Sequence, residues 1–424
     1  MTEKQSPDDF RRCVDGSLAE MRELFAETPL QLNDHLSARF GARIWLKRED
    51  LSPVRSYKIR GAFNFIRKAL VANPEQKLFV CASAGNHAQG FAYVCRHFGR
   101  KGVVFMPVTT PQQKIDKTRV FGGEFIEIRL TGDFFDACYD AAREFAAAEG
   151  ALMAPPFDHD DIIEGQASVG AEIEAQLPEG EAPDLVVLPV GGGGLSAGVA
   201  RYLEGRLDAA RFLLVEPEGA PSLKESLAAG LRVKLGKIDN FVDGAAVAEI
   251  GERNFEILQR FRAEQVLTVP ENAICLTMTR ILNTEGIVLE PAGALSIAAL
   301  EAMDPASLKG KSVVAVVSGG NFDFDRLPDV KERAMRYAGT KKYFILRLPQ
   351  RPGALRDLLT LLGPEDDISR FEYLKKSARN FGSILIGIET SSPENFLHLT
   401  EAFDGAGLSY QDITDNEIIS NLII

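Results

Sequence analysis

The stretch "VVLPVGGGGLSAGVARYL", residues 186–203, joins an apolar run to a helical period through four consecutive glycines. The run does not alternate with polar residues, so it reads as a strand buried on both faces of a parallel sheet. Gly191, Gly192, Gly193 and Gly194 let backbone N–H groups close on an anion with no Cβ in the way. The start of the helix that follows adds partial positive charge. This pattern predicts a phosphate site at a strand end in an α/β protein. A tight turn alone needs only one or two glycines. Gly192, Gly194 and Ala197 also fit G-x-G-x-x-A, the spacing of dinucleotide sites. Glu216, 24 residues after Gly192, falls where such a site needs an acid for the ribose. No Lys-Ser or Lys-Thr pair follows the glycines, so the loop is not a P-loop.

The same strand–helix rhythm surrounds this loop. "KLFVCA" precedes "HAQGFAYVCRHFG", "KGVVFM" precedes "TPQQKIDKTRVFG", and "EFIEIRL" precedes "DFFDACYDAAREFAAAEG". Further on, "RFLLVEP" leads to "PSLKESLAAG", "EQVLTV" to "ENAICLTMTRILNTEG", and "KSVVAVV" ends in "SGGN". Ligands of parallel sheets bind beyond the carboxyl ends of strands, so these loops are where chemistry is expected. Residues 326–341 are charged and polar and read as a helical linker. Beyond them "KKYFILRLPQ", "GALRDLLTLLG", "ISRFEYLKK", "GSILIGIET", "SPENFLHLTEAFDGAG" and "NEIISNLII" run β-α-β-β-α-β, the ferredoxin-like order. The expected division is 1–325, 326–341 and 342–424.

Two more strand-end loops are rich in small residues. Ser83, Ala84, Gly85, Asn86 and His87 open a helix. Their N–H groups suit a carboxylate, and the Asn86 side chain suits a ring hydroxyl. A plain helix cap by Ser83 or Asn86 explains the pattern equally well. Ser318 follows a buried strand directly, with Gly319 and Gly320 permitting close approach. Three such loops suggest one pocket around a planar, phosphorylated ligand. Lys58 stands at the start of an amphipathic helix striped by Ile59, Ala62, Phe63, Ile66, Ala69 and Leu70. By itself it is one more surface lysine.

Together, "KREDLSPVRSYKIRGA", "SAGNHAQG", "GGGGLSAG" and "SGGN" resemble, in sequence and order, the pyridoxal-phosphate ammonia-lyases of the tryptophan synthase β-subunit fold, with threonine ammonia-lyases the nearest group. The resemblance spans roughly residues 20–325. "RPGALRDLLTLLG" is similar to the ACT-like regulatory domain attached to such enzymes. The resemblance implies that Lys58 is the Schiff-base lysine and catalytic base. It implies that Asn86 meets the 3′-hydroxyl of pyridoxal 5′-phosphate, that Gly191, Gly192, Gly193, Gly194 and Leu195 bind its phosphate, and that Ser318 meets its ring nitrogen. Ser83, Gly85, Asn86 and His87 would then hold the substrate carboxylate. Glu216, Ala220 and Ser222 sit at spacings resembling a cation site of related serine dehydratases, beside the plainer reading of a strand-end carboxylate. The implied activity is deamination of threonine to 2-oxobutanoate, with isoleucine or valine as effector and a homo-oligomer, tetramer or dimer, as the working form. A serine ammonia-lyase, a serine racemase and a non-catalytic amino-acid sensor remain alternatives.

Bulk composition agrees with a large α/β enzyme. Of 424 residues, 45% are hydrophobic and 25% charged, with a net charge of -12. That acidity disfavours nucleic acid and anionic membranes as partners. Five cysteines without metal-ligand spacing point to a reducing compartment and to no metal site. No apolar run is long enough to span a bilayer, and no signal-peptide pattern opens the chain, so the expected address is the cytoplasm.

Overall fold

The computed structural model describes residues 6–374 and 381–416. The chain divides into two units. The first takes residues up to 274 together with 285–323, and the second takes 275–284 together with 324 onward.

Among the described residues, ten strands belong to the first unit. They are β1 (Leu30–Leu32), β2 (Arg43–Arg48), β3 (Leu78–Ala82), β4 (Lys101–Met106) and β5 (Ile126–Leu130), then β6 (Leu152–Met153), β7 (Leu185–Pro189), β8 (Phe212–Pro217), β9 (Val266–Val269) and β10 (Ser312–Val317). They form two open sheets, in the orders β1-β2-β10-β7-β8-β9 and β5-β4-β3-β6. Every pairing is parallel except β1 with β2. The expectation of doubly covered parallel strands is met most fully by β10, in which all six residues are buried. The sequence rhythm had not suggested the antiparallel β1–β2 edge, the helix Pro7–Met21 or the long helix Asp160–Gln176.

The helix Lys58–Ala72 lies against the helices Asn86–His97 and Asp160–Gln176, and missing Cβ atoms permit both approaches. A Cβ on Gly165 would fall 2.5 Å from the Arg60 carbonyl oxygen, and one on Gly61 2.4 Å from Gln166 Nε2. A Cβ on Gly90 would fall 2.9 Å from the Ile59 nitrogen. Glycine lowers helix stability by about 1 kcal/mol, a cost that this close packing offsets.

Arg60 anchors the crossing. Its guanidinium, fully buried, donates to both Glu49 oxygens at 2.7 and 2.8 Å and to both Glu172 oxygens at 2.8 and 2.9 Å. Lys47, also fully buried, donates to Glu172 at 2.5 Å and to the Thr28 carbonyl at 2.6 Å. Burial alone would lower the Arg60 pKa, but the two carboxylates raise it further than burial lowers it. Burial likewise pushes Glu172 up, and Arg60 with Lys47 outweighs it and holds the carboxylate ionised.

The second unit contains the helix Leu327–Tyr337, then β11 (Lys341–Pro349), the helix Ala354–Leu359, β12 (Asp367–Leu374), β13 (Phe381–Glu389), the helix Asn395–Gly405 and β14 (Ser409–Asp412). The sheet order β12-β13-β11-β14, antiparallel throughout, is ferredoxin-like, as the sequence predicted. Its fourth strand is "SYQD", and the expected strand "NEIISNLII" lies, beyond Asn416, outside the described residues. "SYQD" alternates too little apolar character to signal a strand. The helix read as a linker is tied to this unit: Lys341 Nζ lies 2.5 Å from Glu332 and 2.8 Å from Glu389.

Removing one partner of a buried ion cluster strands the others without solvation. Glu172→Ala should therefore destabilise the first unit by about 3–5 kcal/mol, read as a lower urea midpoint. A loss below about 1 kcal/mol would mean that the cluster behaves like a surface pair.

Candidate active site

The glycine loop runs from the end of β7 into the helix Gly194–Tyr202. Gly193 takes a left-handed φ of 92°, a conformation open to glycine at little cost. The loop is also walled in. A Cβ on Gly191 would lie 2.9 Å from Ala245 Cα, on Gly192 2.4 Å from the Phe157 ring, and on Gly194 3.0 Å from the Phe157 oxygen. Gly193 is thus needed by conformation, and Gly191, Gly192 and Gly194 by space. Behind the loop, Asn254 Nδ2 donates to the Gly192 carbonyl at 2.7 Å, and the Gly251 amide donates to the same oxygen at 3.2 Å. With that carbonyl fixed backwards, the first amides of the helix, Gly194 and Leu195 among them, are left to bind an anion.

Lys58 is the first residue of its helix. The strand-like segment before it is fastened to the end of β10: Ser56 pairs with Gly319, and the Tyr57 amide donates to the Ser318 carbonyl at 3.2 Å. The Lys58 ammonium donates to the Pro156 carbonyl at 3.0 Å and lies 5.3 Å from the Tyr57 ring centre and 5.8 Å from that of Phe157. Burial lowers its pKa from 10.5 to about 8, against a smaller opposing pull from Glu290. Lys58 is therefore a half-buried amine, and its neighbour Phe157 is the ring that abuts Gly192.

Asn86 opens the helix Asn86–His97 and donates from Nδ2 to Glu290 Oε1 at 2.7 Å. Asn321, within the "SGGN" motif, donates to Asn86 Oδ1 at 2.7 Å. Ser318 is nearly fully buried, with its hydroxyl 3.0 Å from the Ala292 carbonyl. Ser83 Oγ accepts from the Gly85 amide at 3.2 Å. The His87 imidazole is buried and lies 3.1 Å from the Ala154 carbonyl, and burial with the nearby Lys58 lowers its pKa to about 3. A neutral imidazole beside a carbonyl must donate to it, so His87 has its backbone amide, not its ring, to offer a substrate.

The structure thus brings together Lys58, Asn86, the glycine loop and Ser318 from loops far apart in sequence. Glu216 faces elsewhere. Its buried carboxylate accepts the Leu223 and Lys224 amides at 2.7 and 2.9 Å, which caps the helix Ser222–Ala229. Burial raises its pKa to about 7 despite those bonds. A carboxylate occupied by a helix start is not placed for a ribose, so the dinucleotide reading loses its acid. Sequence reasoning passed over Pro156, Phe157, Asn254 and Glu290. A signal existed for Glu290 alone, because an acid directly before Pro291 is a common helix opening.

Residues 21–319 match the family described as pyridoxal-phosphate dependent enzyme, and residues 332–423 match the C-terminal regulatory domain of threonine dehydratase. The chain is 44% identical over 408 residues to the L-threonine dehydratase biosynthetic IlvA of Halalkalibacterium halodurans, covering 95% of this chain and 96% of that one. Among solved structures, threonine deaminase isoform 2 of Solanum lycopersicum, in its processed form, superposes with a TM-score of 0.71 at 36% identity. That match covers 77% of this chain and 94% of the other. The T.th. threonine deaminase follows with a TM-score of 0.67 at 34% identity, covering 74% of this chain and 98% of that one. This chain belongs to the pyridoxal-phosphate-dependent enzymes and, among them, to the biosynthetic L-threonine dehydratase family.

The residues fit that cofactor. Missing Cβ atoms let the glycine loop lie close against Phe157 and Ala245, its helix-start amides are left to an anion, and an amine, an amide and a hydroxyl stand near it. Because burial disfavours the ammonium, the Lys58 side chain of cofactor-free protein should become reactive with a midpoint near pH 8. Acylation of residue 58, followed by peptide mass spectrometry across pH, measures this. A midpoint above 10 would mean that the amine is solvated.

Proposed function

We propose that this protein is an L-threonine ammonia-lyase that converts L-threonine into 2-oxobutanoate and ammonia with pyridoxal 5′-phosphate, the first step of isoleucine biosynthesis. The observation that carries this reading is the half-buried Lys58 amine, held between Tyr57 and the Phe157 ring that packs on the glycine cradle. Once bound, the cofactor supplies the sink for the electron pair left when the Cα proton departs.

The chain's own residues do the rest. Lys58 would hold the cofactor and, as a free amine, would take the Cα proton. A pKa near 8 keeps a useful fraction of free amine at neutral pH. Gly191, Gly192, Gly193, Gly194 and Leu195 hold the phosphate, Asn86 the ring hydroxyl and Ser318 the ring nitrogen. Ser318 is neutral and places no carboxylate beside that nitrogen. Ser83, whose Oγ holds the Gly85 amide, with the Asn86 and His87 amides at the start of a twelve-residue helix, fixes the substrate carboxylate. Loss of water from threonine leaves an enamine, and hydrolysis of its imine tautomer returns the water and releases ammonia.

Catalysis is assigned to residues 1–325 and control to 342–424. In the second unit a groove of about 410 Å³ is lined by Arg347, Pro349, Arg351, Leu358, Phe381 and Leu408, among others. Cationic side chains beside apolar ones suit a branched-chain amino acid, and isoleucine, opposed by valine, is the effector assigned to it. Different affinities for two states of the enzyme would give the control. No helix among the described residues is long and apolar enough to cross a membrane. The working form is assigned as a cytoplasmic homo-oligomer.

Keto-acid release from threonine and serine tests the activity directly. Threonine should be turned over, and Lys58→Ala should lose at least about 100-fold in rate. Turnover of neither amino acid would overturn the reading. For control, isoleucine should raise the threonine concentration needed for half-maximal rate, and Arg351→Ala should abolish that response. An unaltered response in the variant would move the effector away from this groove.

A further inference from the structure

Asn86 sits in a chain of hydrogen bonds whose direction is fixed at its Val54 end. At one end, Asn321 Nδ2 donates to the Val54 carbonyl at 2.7 Å, and a backbone carbonyl can only accept. The same nitrogen donates its other hydrogen to Asn86 Oδ1 at 2.7 Å. At the far end, Asn86 Nδ2 donates to Glu290 Oε1 at 2.7 Å. Turning the Asn86 amide over would set its N–H against the N–H of Asn321 and its oxygen against the ionised form of Glu290, whose pKa burial raises to about 7. Both contacts would be unfavourable. One Nδ2 hydrogen of Asn86 is left uncommitted.

Glu290 reaches this place only because two residues lack side chains. A Cβ on Gly319 would lie 2.0 Å from Glu290 Oε1, and a Cβ on Gly293 would lie 1.9 Å from the Gly319 oxygen. Glu290 is also nearly fully buried. A buried carboxylate admitted by two glycines, next to the segment that carries Lys58, calls for a task. Helix capping does not supply it, because the Glu290 side chain makes no cap bond to the helix Pro291–Ala302.

We propose that Glu290 and Asn321 are positioning residues that lock the Asn86 carboxamide in one orientation, so that its one free N–H faces the cofactor's ring hydroxyl. Neither residue needs to touch the cofactor. The chain also joins Val54, four residues before Lys58, to the helix start at Asn86. The ring hydroxyl and the anchoring amine are thereby registered to one another. This inference rests on the cofactor reading given above.

A double-mutant cycle tests it by cofactor affinity, measured by equilibrium dialysis of pyridoxal 5′-phosphate against cofactor-free protein. Asn86→Ala and Glu290→Leu should each weaken binding about five- to tenfold. The double variant should be no weaker than Asn86→Ala alone, because Glu290 acts through Asn86. Glu290→Gln, whose amide oxygen accepts the same bond, should stay within about twofold of wild type. Asn321→Asp, which has no hydrogen to donate, should reproduce the Glu290→Leu loss and shift the visible absorption band of the bound cofactor as Asn86→Ala does. Asn321→Asp also keeps the test decisive if Glu290→Leu does not fold. Losses that multiply in the double variant, or an Asn321→Asp protein with wild-type affinity and spectrum, would overturn the proposal. A wild-type protein that binds no pyridoxal 5′-phosphate would overturn the functional reading and this inference together.

Discussion

A guanidinium with no access to water governs where the anchoring lysine stands. Arg60 lies two residues beyond Lys58, and both carboxylates that neutralise it come from other elements: Glu49 follows β2 and Glu172 lies on the helix Asp160–Gln176. Apolar packing tolerates small slides and rotations. A buried ion cluster does not, since a misplaced charge has no water to turn to. Rotating the Lys58 helix by one residue would break the four bonds from Arg60 to the two carboxylates. The glycines at 61, 90 and 165 let the neighbouring backbones close in, and the cluster then fixes the rotation.

The site assembled on this frame is largely backbone. Its parts follow β2, β3, β6, β7 and β10, the carboxyl ends at which parallel sheets gather ligands. Charge at the site comes from helix starts and a few enclosed groups rather than from a cluster of acids and bases. That suits a reaction whose difficult electronic step is supplied by a cofactor, and leaves the protein to place atoms and exclude water. The irregular stretch between the helices Ser222–Ala229 and Glu252–Leu258 contributes to the wall: Ala245 packs on Gly191, and Gly244 on Ala292. A long loop with no regular structure inside a packed unit is a common mark of a binding surface.

In the second unit, Lys341 does for β11 what Arg60 does for the Lys58 helix, on a smaller scale. It is almost buried and paired with Glu332 on the helix Leu327–Tyr337 and with Glu389 on β13. The helix before the sheet is therefore part of the unit's ionic framework. Its charged, polar sequence gave no sign of this, because an exposed linker and a helix pinned by an ion pair have similar composition.

Local pattern sufficed for most of the strands, the ferredoxin-like order and the four motifs, because each depends on residues close in sequence. Four successive glycines imply close backbone approach, and unbroken apolar runs imply burial on both faces. Glu290, Asn254 and Phe157 gave too little signal, since their partners lie 204, 62 and 35 residues away along the chain. Lys58 shows the division most plainly. Its motif marked it only by resemblance, whereas its contacts with Pro156, Tyr57 and Phe157 and its lowered pKa exist only once the chain has folded. Sequence determined which backbone segments could approach an anion and which runs would be buried. Tertiary structure decided which side chains lost their water, and desolvation, not residue type, sets the chemistry of an amine or a carboxylate.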